Sequence, residues 1–388
     1  MKKKNIAILG STGSIGKTTL NIIKKNKKEF NIFFLSTNKN INTIYKQAIE
    51  NDVKNITVIS KPHYLKLKKK IKGKKINIYN DYSIFKKFKN KKLDYVMSAI
   101  TGLDGLEPTY EIIKKTKKIA IANKETIICS WNLIKKRLKK YKTEFVPVDS
   151  EHFSIWSILR GFNVKDVEKI ILTASGGPFL NTNINRLKKI NPIKALKHPN
   201  WTMGKKISID SSLMTNKLFE VIETQRIFDI NYKKIEILIH PKSYLHAIVK
   251  FKNGVTKLLV HDTNMIIPIF NSIYSNGNYI KTNNIDINKL NNLKLKKPDL
   301  KKFPSLKILS KIPNSISLYE TVLVSANDEI VEQFLNGKIK YLEINKILSD
   351  ILIKREFTKL KKQKPANIKQ IMKLNRYVRL KTNNLCIK

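Results

Sequence analysis

Three polar residues near the middle of the chain, Asn216, Lys217 and Glu220, have the spacing of neighbours on one side of a helix. An amide, an ammonium and a carboxylate together suit a phosphorylated polyol held beside a metal ion. The apolar run 207–209 predicts a short strand before this helix, and Asp-Ser-Ser at 210–212 predicts its start, because short polar side chains cap free backbone N–H groups. A capped surface helix with an ordinary ion pair would have the same pattern, so this segment alone leaves both interpretations open.

Two further carboxylates, Asp149 and Glu151, follow a predicted strand at 145–148. Side chains two residues apart on extended backbone point the same way, so both can converge on one divalent cation while Ser150 points elsewhere, toward a substrate. A set of oxygen ligands fits Mg²⁺ or Mn²⁺. The Asp-Ser-Glu triplet would also serve as the N-terminal cap of a helix, and this alternative stays open.

A glycine-rich segment, GSTGSIG, occupies residues 10–16, directly after a predicted strand at 5–9 and at the start of a predicted helix. Glycines let the backbone approach a pyrophosphate, and a helix N-terminus contributes N–H groups and positive potential. The spacing is GxxGxxG rather than GxGxxG, and a tight structural turn is the alternative. The strand before the segment and the helix after it favour a dinucleotide site.

The end of the second predicted strand distinguishes NAD from NADP. A site for NAD usually has an acidic residue there, which binds the ribose 2′-hydroxyl. Residues 36–40 read Ser-Thr-Asn-Lys-Asn, with no acid and one base. This segment therefore predicts binding of a 2′-phosphate, and NADPH as the cofactor.

The pattern of strands and helices divides the chain into regions. Residues 1–148 alternate strand-like and helix-like segments, which predicts an α/β fold with a Rossmann-like, doubly wound parallel sheet. Residues 149–274 contain strand candidates and a hairpin signal, and predict an α+β catalytic domain. Residues 275–300 are rich in Asn and Lys and read as a linker, and the helical periodicity of residues 301–388 predicts a closing helical bundle.

The composition limits the classes of partner. The chain has 77 basic and 29 acidic residues, a net charge of +48, but the lysines are spread along its whole length and Arg, the residue suited to reading bases, is scarce. Diffuse charge gives only salt-sensitive binding, so no specific nucleic-acid partner is expected. The absence of a run of about 18 apolar residues argues against a membrane partner. The only cysteines, Cys129 and Cys386, lie far apart, which indicates a reducing, cytoplasmic location.

Five motifs occur in one order along nearly the full chain. They are GSTGSIG at 10–16, ANKE at 122–125, DSE at 149–151, SGGPF at 175–179, and the stretch from HPNW to NKLFE at 198–220. With these motifs the chain resembles the 1-deoxy-D-xylulose 5-phosphate reductoisomerase family. The resemblance implies a homodimer with an NADPH domain, a central catalytic domain and a C-terminal helical domain. It also implies a divalent cation, Mg²⁺, Mn²⁺ or Co²⁺.

The resemblance further implies a reaction and the residues that serve it. The family rearranges a phosphorylated ketose, 1-deoxy-D-xylulose 5-phosphate, and reduces the product with NADPH to 2-C-methyl-D-erythritol 4-phosphate, a precursor of isoprenoids in the non-mevalonate pathway. Its metal ligands correspond to Asp149, Glu151 and Glu220, and its substrate-contacting lysine to Lys124. The other substrate contacts correspond to Ser150, Ser175, His198, Ser211, Asn216 and Lys217. The NADPH contacts correspond to Thr12, Gly13, Ser14, Ile15, Lys39, Asn40, Asn123, Glu125 and Gly204.

These residue types fit that chemistry. A metal ion chelated by substrate oxygens would stabilise an enediolate, and Lys124 or Glu151 could move the protons. The nicotinamide would then deliver hydride to the aldehyde. The loop at 198–206, built around Trp201, is expected to close over the site, with a core tryptophan as the alternative. His240, at the end of a strand, is more often structural than catalytic in such a place.

Some positions depart from the family pattern, and two other functions compete. Asn38 and Asp104 stand where small residues are usual, which bears on cofactor affinity and local packing. An NADP-dependent dehydrogenase acting on an amino-acid semialdehyde would leave the three acidic residues at 149, 151 and 220 unexplained. A basic nucleic-acid-binding protein would have no reason to fill every metal and phosphate position.

Overall fold

The computed structural model describes residues 3–88, 92–274 and 278–387. Within these ranges the chain forms two compact units. The first unit comprises residues 1–123, 134–149 and 265–280, and the second comprises residues 124–133, 150–264 and 281–388. The domain limits at 148, 274 and 300 stay predictions, and residues 275–277 of the predicted linker lie outside the described part of the chain.

Strands and helices alternate through the first half of the chain. The strands are β1 (Lys4–Leu9), β2 (Phe30–Thr37), β3 (Asn55–Val58), β4 (Asn77–Tyr79), β5 (Leu93–Ser98), β6 (Thr116–Ile121), β7 (Glu144–Pro147), β8 (Val167–Ala174), β9 (Ile235–Ile239), β10 (Leu245–Phe251) and β11 (Thr256–Val260). The helices are α1 (Ser14–Lys24), α2 (Ile41–Glu50), α3 (Lys61–Lys70), α4 (Leu106–Ile113), α5 (Lys124–Tyr141), α6 (Ser150–Leu159), α7 (Pro192–Ala195), α8 (Lys205–Ser212), α9 (Thr215–Phe228), α10 (Ile266–Ile273), α11 (Ile287–Asn291), α12 (Tyr319–Leu335), α13 (Tyr341–Leu352), α14 (Arg355–Thr358) and α15 (Ile368–Cys386).

The first unit contains a seven-stranded sheet in the order β4-β3-β2-β1-β5-β6-β7, with every neighbouring pair parallel. The central strands β1 and β2 are apolar along most of their length because helices cover both faces. Ile6, Ile8 and Leu35 pack there against Leu20 of α1 and Ile269 of α10. The strand order reverses at β1 and β5, as in doubly wound sheets, so the predicted α/β fold is confirmed.

The second unit contains a four-stranded sheet in the order β11-β10-β8-β9. Strands β8 and β9 are parallel, whereas β10 runs antiparallel to both β8 and β11. The predicted hairpin joins β10 to β11, and Gly254 takes the left-handed φ of +88° in its turn. Ile155 of α6 and Val221 of α9 pack against Leu172 and Val249 of this sheet, so the two helices are anchored by their apolar faces.

Helices dominate the chain after residue 301, as the periodicity predicts. The long helices α12, α13 and α15 account for most of this region. α12 is buried over nearly its full length, and Val322, Ile330 and Phe334 are among its fully buried side chains. The lysines of the tract 68–75 are exposed, as expected for solvated charge. Within the described ranges no helix is both long and apolar enough to cross a bilayer.

Three local predictions were wrong. Residues 207–209 belong to helix α8 rather than to a strand, and residues 210–212 end α8 instead of starting the next helix. α9 follows a tight turn at Met214, whose φ of +61° is left-handed. Three apolar residues are too few for periodicity to separate strand from helix. The Asp-Ser-Glu triplet at 149–151 is also not extended, because α6 begins at Ser150.

Gly16 offers a test of the glycine-rich turn. A Cβ added at Gly16 would lie 2.5 Å from the carbonyl oxygen of Gly10 and 2.5 Å from Cα of Ser11, both of which are backbone atoms. We expect Gly16→Ala to lower the free energy of unfolding by about 1–3 kcal/mol, measured by urea denaturation. Gly13→Ala is the control, because its Cβ would meet only the Gly10 oxygen at 3.5 Å. Equal losses for the two variants would contradict the argument.

Candidate active site

Three helices of the second unit bring five predicted site residues together. The first turn of α5 carries Lys124, and the first turn of α6 carries Glu151. The first two turns of α9 carry Asn216, Lys217 and Glu220. Because α6 and α9 are held by the same apolar core, the positions of their N-terminal polar residues are set by packing rather than by the polar contacts alone.

The ammonium of Lys217 lies between two carboxylates. Its Nζ is 2.6 Å from Oε1 of Glu151, and it also contacts Oε2 of Glu220. Burial by itself would lower the pKa of Lys217, but the two carboxylates outweigh burial and raise that pKa above its usual value. Glu151 and Glu220 therefore converge on one position that favours a cation. Ser150 donates its hydroxyl hydrogen to the second oxygen of Glu151.

Lys124 joins the same group from the other side. Its Nζ is 2.7 Å from Oδ1 of Asn216 and 3.3 Å from Oε1 of Glu220. The amide of Asn216 donates to the same Glu220 oxygen at 2.5 Å. Two lysines, one amide and two carboxylates, each buried or half-buried, are thus in mutual contact, an arrangement able to hold a proton or an anion with little reorganisation.

His152 contacts α9 beside the cluster. Its Nε2 is 3.0 Å from the backbone oxygen of Glu220 and 3.0 Å from the hydroxyl of Thr224, and its Nδ1 is 3.5 Å from Oε2 of Glu223. His152 is fully buried, so it contacts the helix that carries Glu220 without facing solvent.

A second group of predicted residues lies at the carboxyl end of β8. Ser175 follows that strand directly, and its hydroxyl accepts from the backbone N–H of Gly177 at 3.1 Å. Gly177 has a φ of +70°, and a Cβ there would lie 2.7 Å from the backbone oxygen of Ser211. Only glycine allows the backbone at residue 177 to come so close to Ser211. The end of α8 therefore lies next to the turn that carries Ser175.

The tautomer of His198 follows from its partners. Its Nδ1 accepts backbone N–H groups from Asn200 at 3.2 Å and from Trp201 at 3.1 Å. The proton therefore resides on Nε2, which is 3.1 Å from the Ser175 hydroxyl. Burial lowers the pKa of His198 to about 4, so the imidazole is neutral at pH 7 and donates a hydrogen bond without adding charge.

The loop around Trp201 is tethered rather than buried. Asn200 donates through Nδ2 to the backbone oxygen of Pro241 at 2.6 Å and to the hydroxyl of Ser243 at 3.0 Å. The Trp201 ring is half-buried and meets the ring of His246 edge-on, with centroids 6.2 Å apart. Trp201 is therefore not a core residue of the second unit. Helix α8 begins within the predicted 198–206 loop, at Lys205.

His240 has a structural environment. Its Nδ1 donates to the backbone oxygen of Leu293 at 2.6 Å, and its backbone N–H donates to Ala174 at 2.7 Å. Burial lowers the pKa of His240. These contacts tie the end of β9 to the end of β8 and to the segment near residue 293.

The glycine-rich loop of the first unit has the geometry that its sequence predicts. Gly10 has a φ of +79°, and Gly13 caps α1, so Ser14 and Ile15 form the first turn of that helix. The hydroxyl of Thr12 lies 2.7 Å from the hydroxyl of Thr37, at the end of β2. The loop and the end of β2 are therefore adjacent, as a dinucleotide site requires.

The other predicted NADPH contacts of the first unit are either exposed or hydrogen-bonded to the backbone. Lys39 is exposed just past β2. The side chain of Asn40 accepts from the backbone N–H of Thr43 at 3.2 Å and so caps α2. Asn123 is buried, and its Nδ2 donates to the backbone oxygen of Gly102 at 2.6 Å. Asp104, the departure in the 102–105 stretch, lies in a short 3₁₀ helix.

A buried charge cluster around Lys206 was missed by sequence reasoning. Its Nζ is 2.6 Å from Oε1 of Glu125, 3.0 Å from Oδ2 of Asp210 and 3.0 Å from Oδ1 of Asp328. Asn327 donates to the other oxygen of Asp210 at 2.8 Å. The spacing of four between Lys206 and Asp210 was a signal for a helical pair, but the strand prediction for 207–209 concealed it. Gly204, a predicted cofactor contact, is the N-cap of α8.

The cluster contains more carboxylates than cations. Burial would raise the pKa of Glu125, but the Lys206 ammonium holds it below its usual value. For Asp328 burial prevails over Lys206 and raises the pKa to about 6. The folded protein therefore binds the Asp328 proton more tightly than the unfolded chain does, and stability falls as pH rises from about 4 through about 6.

Asp328→Asn removes this ionisation. We expect the variant nearly to match the unsubstituted protein at pH 4 and to exceed it at pH 8 by on the order of 1–3 kcal/mol in free energy of unfolding. Urea denaturation at the two pH values measures the difference. Asp350→Asn, on the exposed face of α13, is the matched control and should give the same difference at both pH values. A stability loss for Asp328→Asn at pH 8 would refute the explanation.

Comparisons with known proteins agree with this geometry. The model of the 1-deoxy-D-xylulose 5-phosphate reductoisomerase family matches residues 6–130, and models of two C-terminal domains of that enzyme match residues 145–228 and 261–381. The enzyme of that name from Pelagibacter ubique is 56% identical over 99% of this chain and 100% of its own. The one from Clostridium perfringens is 37% identical over 92% of this chain and 94% of its own.

Solved structures of the same name have the same fold. A reductoisomerase in complex with NADPH, fosmidomycin and magnesium has a TM-score of 0.91 at 30% identity, covering 99% of this chain and 98% of its own. The enzyme from Zymomonas mobilis in complex with NADPH has a TM-score of 0.88 at 29% identity, covering 99% of each chain. The chain belongs to the 1-deoxy-D-xylulose 5-phosphate reductoisomerase family.

Proposed function

We propose that this chain converts 1-deoxy-D-xylulose 5-phosphate to 2-C-methyl-D-erythritol 4-phosphate with NADPH and a divalent cation, and that the cluster on α5, α6 and α9 is where the substrate reacts. Family membership makes the chain an NADPH-dependent oxidoreductase. The observation that carries the assignment of the site is the convergence of Glu151 and Glu220 on one ammonium. Relatives solved with NADPH, fosmidomycin and magnesium support the cofactors.

The proposed metal ligands are Asp149, Glu151 and Glu220. The contact of both glutamates with the Lys217 ammonium supports a shared cation position, and carboxylate oxygens are the ligands that Mg²⁺, Mn²⁺ and Co²⁺ accept. Asp149 stands two residues before Glu151, immediately ahead of α6. A divalent cation bound there supplies Lewis-acid polarisation of the substrate carbonyl.

Lys124 is the proposed proton donor and acceptor at the substrate oxygens. Its ammonium is fixed by Asn216 and Glu220, so a hydroxyl or carbonyl bound beside these groups would lie within hydrogen-bond reach. Glu151 is the alternative for the same role. Ser150, hydrogen-bonded to Glu151, would contact the substrate from the start of α6.

Ser175, Ser211, Asn216 and Lys217 are proposed to bind the substrate phosphate. The neutral His198 would donate from Nε2 without supplying charge, so the negative charge of the phosphate must be met mainly by Lys217. The close approach of Gly177 to Ser211 supports a common site for the two serines. The Trp201 loop is proposed to exclude water when the substrate is bound.

NADPH is proposed to bind along the glycine-rich loop. Gly13, Ser14 and Ile15 at the start of α1 would face the pyrophosphate, with Thr12 beside them. Lys39, which is exposed and follows β2 with no acid beside it, suits a 2′-phosphate. Asn40, Asn123, Glu125 and Gly204 are the remaining proposed contacts.

Turnover tests the function directly. We expect oxidation of NADPH, followed by its absorbance, when 1-deoxy-D-xylulose 5-phosphate and Mn²⁺ are both present, and little oxidation after chelation of the metal. NADH should replace NADPH poorly because Lys39 would then lack its phosphate partner. Absence of turnover with both Mg²⁺ and Mn²⁺ would overturn the proposal.

Glu220→Gln tests the metal assignment. The variant keeps the size of the side chain but loses the charge that a divalent cation needs, so kcat should fall by at least about a hundredfold. The affinity for NADPH, measured by titration, should stay nearly unchanged. Glu236→Gln, at an exposed surface pair with Lys169, is the control and should leave kcat unaltered. Equal loss of NADPH binding in Glu220→Gln would show that Glu220 is misplaced.

A homodimer and a cytoplasmic location are also proposed. The family resemblance implies the dimer, and the two cysteines, both free, suit a reducing compartment. Sedimentation equilibrium of the purified protein measures the subunit number.

A further inference from the structure

The Lys206 cluster lies beside the proposed reaction site and is not itself part of it. Lys206 is the second residue of α8 and the last residue of the predicted loop at 198–206. Its ammonium contacts carboxylates from three different helices, namely Glu125 of α5, Asp210 of α8 and Asp328 of α12. It also lies 5.0 Å from the ring centre of Phe219, the residue before Glu220. One side chain thus contacts α5 and α9, two of the three helices that carry the site.

The contact between Lys206 and Glu125 matters for the reaction site because α5 is kinked. At Ser130 the backbone leaves the helical region, with φ −141° and ψ 16°, so residues 124–129 form a short helical segment of their own. A segment of six residues has little intrinsic stability and depends on side-chain anchors. Its far end is tied by the thiol of Cys129 to the backbone oxygen of Glu320 at 3.8 Å. Its near end is tied by Glu125 to Lys206.

Lys124 is the neighbour of Glu125 in this segment. Its ammonium has to lie within hydrogen-bond distance of Asn216 and Glu220, at 2.7 Å and 3.3 Å. A shift of the segment by an ångström would break this geometry, and misplacement of that size costs on the order of a hundredfold in rate.

We propose that Lys206 is a positioning residue for the reaction, which holds Lys124 against Glu220 through the Glu125 carboxylate. This inference rests on the proposed function. It gives a role in the reaction to a lysine that would not touch the substrate, the metal or the reacting atoms.

The variant Lys206→Met would be hard to interpret by itself, because removing the only lysine of the cluster changes both its charge and the position of Glu125. Lys206→Met would leave three buried carboxylates without their cation and should destabilise the protein. Asp328→Asn removes one of these carboxylates and keeps the Lys206 contact with Glu125. The double variant Lys206→Met/Asp328→Asn therefore regains part of the lost stability but still lacks the anchor of Glu125. The two effects, on stability and on position, can thus be separated.

The experiment measures kcat, KM for 1-deoxy-D-xylulose 5-phosphate, NADPH affinity and urea stability for the full chain and its variants with saturating Mn²⁺. We expect Lys206→Met to lower kcat at least about tenfold, with a smaller change in KM. Asp328→Asn should keep kcat within about twofold of the unsubstituted protein. The double variant should be more stable than Lys206→Met yet retain its low kcat. Lys346→Met, at an exposed lysine of α13, is the matched control and should change neither kcat nor stability.

Two outcomes would overturn the inference. One is a kcat for Lys206→Met, normalised to folded protein, within about twofold of the unsubstituted value. The other is recovery of kcat together with stability in the double variant, since that is the behaviour of a purely structural lysine. Both differ from failure of the proposed function, in which the unsubstituted protein itself does not oxidise NADPH with this substrate.

Discussion

Ion pairs between buried lysines and carboxylates hold the helices of the second unit in place. A carboxylate removed from water is costly unless a cation lies beside it, and each cluster supplies at least one ammonium group for this purpose. Lys217 serves Glu151 and Glu220, whereas Lys206 serves Glu125, Asp210 and Asp328. Because one partner cannot move without exposing the charge of another, these pairs fix the relative positions of α5, α6, α8, α9 and α12.

The central lysines of the two clusters lie close together in the sequence, on either side of the turn between α8 and α9. Both lysines lie within residues 205–220, on consecutive helices joined at Met214, whose backbone is left-handed. Gly177 packs against the end of α8 so closely that a Cβ would lie 2.7 Å from the Ser211 oxygen. Backbone contact thereby gathers polar groups from β8, α8 and α9, and no long loop is needed to bring them together.

The net charge of +48 has little bearing on this interior. Lysines such as those of residues 68–75 are exposed, where ions and water screen them. Lys124, Lys206 and Lys217 differ because their ammonium groups are largely buried and each contacts a carboxylate. Burial with a partner, rather than the number of lysines, distinguishes these three lysines from those at the surface.

The sequence by itself determined the α/β order of the first unit, the hairpin of the second and the residue types of the site. Alternating apolar patterns, the glycine spacing at 10–16 and the ordered motifs are local signals, so they can be read without a structure. Only the tertiary structure decided that residues 207–209 are helical, since three apolar residues fit either period. It alone paired Lys206 with Glu125 and Asp328, at separations of 81 and 122 residues in the chain, because such contacts depend on how helices pack rather than on local spacing.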